Sequence, residues 1–157
     1  MKKRSKAAYV CGPLTELPAE RQKSVKRFYE RIADLCERTL GVRAFVPHEH
    51  YDPVKHASFT PRQIDEAERR QVCENSSYLI VAALAPSWGG GIEVEMAHRS
   101  GVPVILLCER GKLESRKISR LLRGNPGVVS VIPYDSERGA LMKLTAVLRA
   151  RGRERSG

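Results

Sequence analysis

Apolar and polar positions along the chain alternate between two rhythms. Nearly continuous apolar runs fall at residues 7–13 (AAYVCGP), 42–48 (VRAFVPH), 78–84 (YLIVAAL), 103–109 (PVILLCE) and 128–134 (VVSVIPY). Runs of this length with Gly or Pro close by read as buried strands. Between them the spacing changes to that of helices. Over 18–40, Val25, Phe28, Ile32, Leu35 and Cys36 recur every three or four residues until Gly41. Residues 61–76 form a helix with Pro61 in its first turn and Thr60 as cap. A helix follows the glycines at 89–91 and runs to Gly101; 114–124 is a short basic helix closed by Gly124, and 136–150 is a final amphipathic helix. Strand and helix thus alternate five times. This pattern predicts a three-layer α/β fold, a five-stranded parallel sheet with helices on both faces, of flavodoxin or Rossmann type.

A length of 157 residues suits one domain. The longest apolar run, YLIVAALAP from Tyr78, is far shorter than the ~20 residues that cross a bilayer. The basic N-terminus is interrupted by Gly12, Pro13 and Glu16 before it reaches export length, so a cytoplasmic protein without membrane contact is expected. Cys11, Cys36, Cys73 and Cys108 are scattered without a CxxC pair and read as small apolar residues in a reducing compartment.

The net charge of +10 suggests a polyanion partner until it is located. Seven of those charges lie at the ends, four in residues 1–6 and three in residues 149–157. The chain therefore divides into a basic arm (1–6), a domain (7–148) and a basic tail (149–157). Nucleic acid is not the expected partner, although such arms can touch it non-specifically.

The most informative stretch is APSWGGGIEVEMAHRSG, residues 85–101, which leaves a strand at its carboxyl end. There, parallel sheets bind ligands. Gly89, Gly90 and Gly91 allow close approach of a ligand and present amide hydrogens at a helix start, where an anion is favoured. A tight connection alone would also use such glycines, and Glu93 taken alone would suit a first-turn acid on the helix dipole.

The segment PSWGGGIEVEMA resembles the signature of the nucleoside 2-deoxyribosyltransferase superfamily, most closely its 2'-deoxynucleoside 5'-monophosphate N-hydrolase branch. YVCG (9–12), FYERI (28–32), EHY (49–51) and RKISRLLRG (116–124) extend the likeness in order along the chain. The resemblance implies Glu93 as nucleophile, Tyr9 beside it, and Gly12 opening a substrate loop. It also implies His50 near the base, Ser87 with the amides of Gly89 and Gly91 at the 5'-phosphate, and Ser119 reaching that phosphate from a second subunit. A homodimer with shared sites follows. The family's Asp acting on sugar and leaving group aligns with Glu68, with Asp65 one turn away as the alternative. The loop GPLTELP departs from the family pattern: Pro13, Leu14 and Thr15 replace its polar or basic phosphate contacts.

The implied reaction is hydrolysis of the N-glycosidic bond of a (deoxy)nucleoside 5'-monophosphate, releasing free base and sugar 5-phosphate. Carboxylates suit this chemistry because the transition state carries positive charge at C1'. No cofactor or metal is expected. His48 and His50 form a His-x-His pair without a third marked ligand and are read as contacts to the base. Trp88 is read as flanking the site or filling the sheet edge. A deoxyribosyltransferase and a non-catalytic nucleotide-binding module are the competing readings.

Overall fold

The computed structural model describes residues 5–157. Lys2, Lys3 and Arg4 of the expected N-terminal arm lie outside the described residues. Four parallel strands, β1 (Ala7–Cys11), β2 (Ser76–Ala82), β3 (Val104–Glu109) and β4 (Val128–Tyr134), lie side by side in that order. The expected fifth strand, 42–48, is reduced to one parallel bridge in which Phe45 exchanges hydrogen bonds with β1, at 2.9 Å from Val10 N–H and 2.8 Å to Ala8 O. Proline explains the shortening. Pro47 lacks the N–H a ladder requires and instead begins the short helix α2 (Pro47–Tyr51).

The bridge still matters for topology. From β1 the chain passes outward to Phe45 and returns to β2 on the other side of β1. Strand order therefore reverses between β1 and β2, which opens a crevice at their carboxyl ends.

Both faces of the sheet are covered over β1, β2 and β3, which are largely apolar, whereas Val129 and Val131 of the edge strand β4 are exposed. Ala8, Val10, Ile80, Ile105 and Leu107 face α1 (Ala19–Leu40) and α7 (Glu137–Ser156), which contribute Phe28, Ile32 and Leu144. Tyr9, Cys11, Leu79, Val81 and Leu106 face α3 (Pro61–Asn75) and α4 (Trp88–Arg99), which contribute Val72, Val94 and Ala97. The two-residue period of β1 thus directs Tyr9 and Cys11 together toward α4.

Local signals set the helix ends. Gly41 ends α1 at φ 80°, a left-handed cap that other residues adopt with difficulty. Thr60 and Gln63 close a reciprocal capping box at the start of α3. Two expected helices differ. Of the 114–124 segment only α6 (Arg120–Arg123) and Glu114, the last residue of α5 (Arg110–Glu114), are helical, with Arg116 at φ 59° between them. A left-handed residue cannot propagate a right-handed helix. The expected tail at 149–157 continues α7 to Ser156, with Arg151 and Arg155 6.0 and 4.7 Å from the ring centroid of Tyr78. Helical continuity and cation–π attraction hold these arginines against the domain.

The loop after β1 is held by close contact. Tyr29 donates a 2.5 Å hydrogen bond to Pro13 O, and a Cβ on Gly12 would lie 2.3 Å from the same hydroxyl oxygen. Because Tyr29 is buried and bonded, it has little room to retreat. Gly12→Ala is expected to destabilise the protein by about 1–3 kcal/mol in denaturant melts. Combining it with Tyr29→Ala should cost less than the sum of the two single changes, since the second removes the clash.

Candidate active site

Glu93 lies on the buried face of α4 at 9% exposure, together with Val94, Met96 and Ala97. A carboxylate there loses its water and needs donors. It has two. Tyr9 donates its hydroxyl to Oε1 at 2.5 Å, and Cys11 donates its thiol to Oε2 at 2.8 Å. Both come from β1, two residues apart and on the same face. Each carboxylate oxygen keeps a further lone pair.

Helix α4 begins one turn earlier than expected. Ser87 is its N-cap, so the three glycines form its first turn rather than a preceding bend, and Glu93 falls in the second turn. A first-turn dipole role for Glu93 is therefore replaced by direct hydrogen bonding. Ser87 Oγ accepts from Gly90 N–H at 3.1 Å. A side chain on Gly89 or Gly91 would meet no protein atom, which leaves the helix entrance open.

Electrostatics follow from burial. Desolvation raises the Glu93 pKa; the Cys11 and Tyr9 hydrogen bonds oppose that rise, and the nearby Glu16 charge adds to it. Tyr9 and Cys11 are raised first by burial and then by Glu93, so both remain protonated donors. Glu68, half-buried on α3, is pushed up to about 7 by burial, then by the charge of Glu93 and of Asp65. A carboxyl that titrates near neutrality can give and take a proton.

Glu68 and Glu93 line one cavity of about 190 Å³, with Gly12, Glu16, His48, Tyr51 and Ser87 among its walls. A larger cleft of about 1640 Å³ adjoins it, sharing Gly12, Ser87 and Gly90, and is walled by Arg116, Lys117, Ser119 and Arg120. Glu68 and Glu93 line only the smaller cavity. Its volume is below the ~300–1,000 Å³ of ordinary ligand sites, so a ligand larger than one ring system would extend across the shared rim.

Of the expected residues, Tyr9, Glu68, Glu93, Gly12, Ser87 and Gly89 meet at the smaller cavity or its donors. Gly91 and Ser119 lie on the larger cleft of the same chain. Asp65 is exposed and ion-paired with Arg69 at 2.9 Å, away from the cavity walls. His50 stacks on Phe45, with centroids 4.5 Å apart, and is not among the wall residues. His48 is, with Nε2 3.0 Å from Glu30 Oε1, so the two histidines diverge rather than sharing a ligand. Trp88 is 89% exposed and fills no sheet edge.

Three contributors were missed in the sequence. Cys11, read as a small apolar residue, donates to Glu93; its position two residues from Tyr9 on one strand was the available signal. Glu16 accepts from Ser87 Oγ at 3.1 Å, a contact across 71 residues that no local pattern announces. Asp52 accepts from Lys26 and from the Val54 and Lys55 N–H groups, pinning the loop that brings Tyr51 and Pro53 to the cavity. The Lys26 hydrogen bond holds the Asp52 carboxyl well below its usual range, despite burial.

Neither a protein-family model nor a curated protein matches the chain. Two solved structures share its fold. The Clostridium botulinum CMP N-glycosidase BcmB is 22% identical with a TM-score of 0.63, covering 88% of this chain and 98% of that one. BlsM is 19% identical with a TM-score of 0.70, covering 92% of this chain and 90% of that one. At these identities the likeness establishes the fold. No helix among the described residues is long and apolar enough to cross a membrane.

The raised Glu68 pKa makes stability depend on pH. Between its ordinary value of 4.5 and about 7, the folded state binds more protons at this position than the unfolded state does. Its contribution to stability is therefore complete below pH 4.5 and is lost as pH rises through 7. Melting temperatures from pH 5 to 8 should show that fall, and Glu68→Gln should flatten it.

Proposed function

We propose that the protein is an N-glycosidase that cleaves the bond between C1' and the base of a nucleoside or a nucleoside 5'-monophosphate, with Glu93 as nucleophile. The observation carrying this reading is the Glu93 carboxylate, buried, gripped by two donors from β1, and sharing a cavity with a second carboxyl poised near neutrality. The shared fold of a CMP N-glycosidase supports it.

In this scheme a Glu93 oxygen attacks C1' as the bond to the base breaks. The bonding pair moves to the base nitrogen, and the Glu68 carboxyl supplies the proton that releases neutral base. A glycosyl ester on Glu93 remains. Water then attacks C1' while the Glu68 carboxylate takes its proton, which frees the sugar and restores both residues. Tyr9 and Cys11 position the nucleophile and limit its basicity. Hydrolysis of a monophosphate would yield base and sugar 5-phosphate.

A transferase would share the first half-reaction and pass the sugar to a second base, so product analysis with added acceptor base separates the two. The reading includes a homodimer, supported by Leu121, 87% exposed on the wall of the larger cleft, and by Trp88 and Ile92, both exposed on α4. Ser119 and its basic neighbours would complete the substrate's surroundings there.

Chromatographic assay of a panel of nucleosides and 5'-monophosphates should detect free base from at least one member. Glu93→Gln should lower that rate by roughly a thousandfold or more, since it removes the nucleophile. Glu68→Gln should lower kcat by ~10²–10⁴-fold. In the unmodified enzyme kcat/KM should decline as pH rises through about 7, where the Glu68 proton is lost, and Glu68→Gln should abolish that limb. Release of no base from any member would overturn the reading.

A further inference from the structure

The loop between β1 and α1 places a carboxylate where the sequence resemblance puts a phosphate. Glu16 Oε2 accepts from Leu14 N–H at 3.0 Å and from Thr15 Oγ1 at 3.4 Å, and its Oε1 accepts from Ser87 Oγ at 3.1 Å. Ser87 has a single proton to donate, and this contact uses it. One of the two Ser87 lone pairs is engaged as well, by Gly90 N–H. Thus the serine expected to hold a 5'-phosphate is already committed to an acid of its own chain.

The surroundings strengthen the point. Residues 12–17, GPLTEL, contain no Lys or Arg, so the loop offers no cation to a phosphate. Burial raises the Glu16 carboxyl, but hydrogen bonds from its own backbone, Leu14, Ser87 and Thr15 outweigh this and hold it below its ordinary range. It is therefore charged at neutral pH. A phosphate approaching Ser87 would meet like charge and lose the serine's donor, whereas an uncharged hydroxyl carries a proton that a carboxylate accepts.

We infer that Glu16 is a specificity residue that makes this site select the 5'-hydroxyl of a nucleoside over the 5'-phosphate of a nucleotide. The assignment rests on the N-glycosidase reading for where the 5' end lies, and it names the substrate class of that site. Glu16 acts by accepting a hydrogen bond from the 5'-hydroxyl and repelling a phosphate.

Calorimetric titration of matched nucleosides and 5'-monophosphates into the full chain at pH 7 and constant salt tests this, with base release followed in parallel. The protein should bind its nucleoside more tightly than the matching monophosphate. Glu16→Gln should move that ratio toward the monophosphate by about tenfold or more, as expected for removing one like charge at close range. Glu16→Asp, which keeps the charge, should retain the nucleoside preference, and Glu20→Gln should leave the ratio unchanged as a control for net charge. The assignment is overturned if the unmodified protein prefers the monophosphate, if Glu16→Gln leaves the ratio as it was, or if neither ligand class binds. A ratio that shifts as expected while no base appears would sustain Glu16 and remove the glycosidase reading. Faster base release from monophosphates than from nucleosides would do the reverse.

Discussion

A carboxylate removed from water must be compensated by hydrogen bonds, and the organisation of this protein follows from meeting that requirement at Glu93. Its two oxygens are each gripped by a donor that burial keeps protonated. A hydroxyl and a thiol stabilise the anion without neutralising it, as a paired Lys or Arg would. The carboxylate stays constrained and able to bond to an electron-poor carbon.

The sheet delivers those donors. Strand β1 sits where strand order reverses, so its carboxyl end opens into a crevice instead of packing against a neighbouring crossover. Its two-residue period aligns Tyr9 with Cys11, and the buried stripe of α4 brings Glu93 opposite them. The second carboxyl arrives from α3, whose start is set by the Thr60 capping box, and the charge of Glu93 helps to shift Glu68 toward neutrality. A single packing arrangement therefore restrains one glutamate by hydrogen bonds and leaves the other titrating near neutrality.

Near the same crevice the loop after β1 has its own constraint. Tyr29 holds Pro13 and leaves no space for a side chain at residue 12, so the chain turns sharply and presents Glu16 to Ser87. Glu16 in turn contributes to the raised pKa of Glu93. Glu16 and Glu93 are thus electrostatically coupled across the cavity.

Much was legible in the chain itself, since strand and helix periods, caps and glycine stops depend on residues within a few positions of one another. The alternation of β1, β2, β3 and β4 with helices, the Gly41 stop and the Thr60 cap are of this kind. The apolar run at 42–48 misled because pattern alone does not reveal that Pro47 turns the chain away after one bridge. The helix over 114–124 failed because nothing local marked Arg116 as left-handed. Glu93, Tyr9 and Ser87 were singled out through the resemblance to a known family. By itself the sequence determined the α/β class, because that is written in short-range spacing, and it offered Glu93 as a candidate only through that resemblance. Tertiary structure alone decided that Cys11 shares the grip on Glu93, that Glu68 rather than Asp65 reaches the cavity, and that Glu16 occupies Ser87. Those outcomes depend on which faces meet across the sheet and on how much water is excluded when they do.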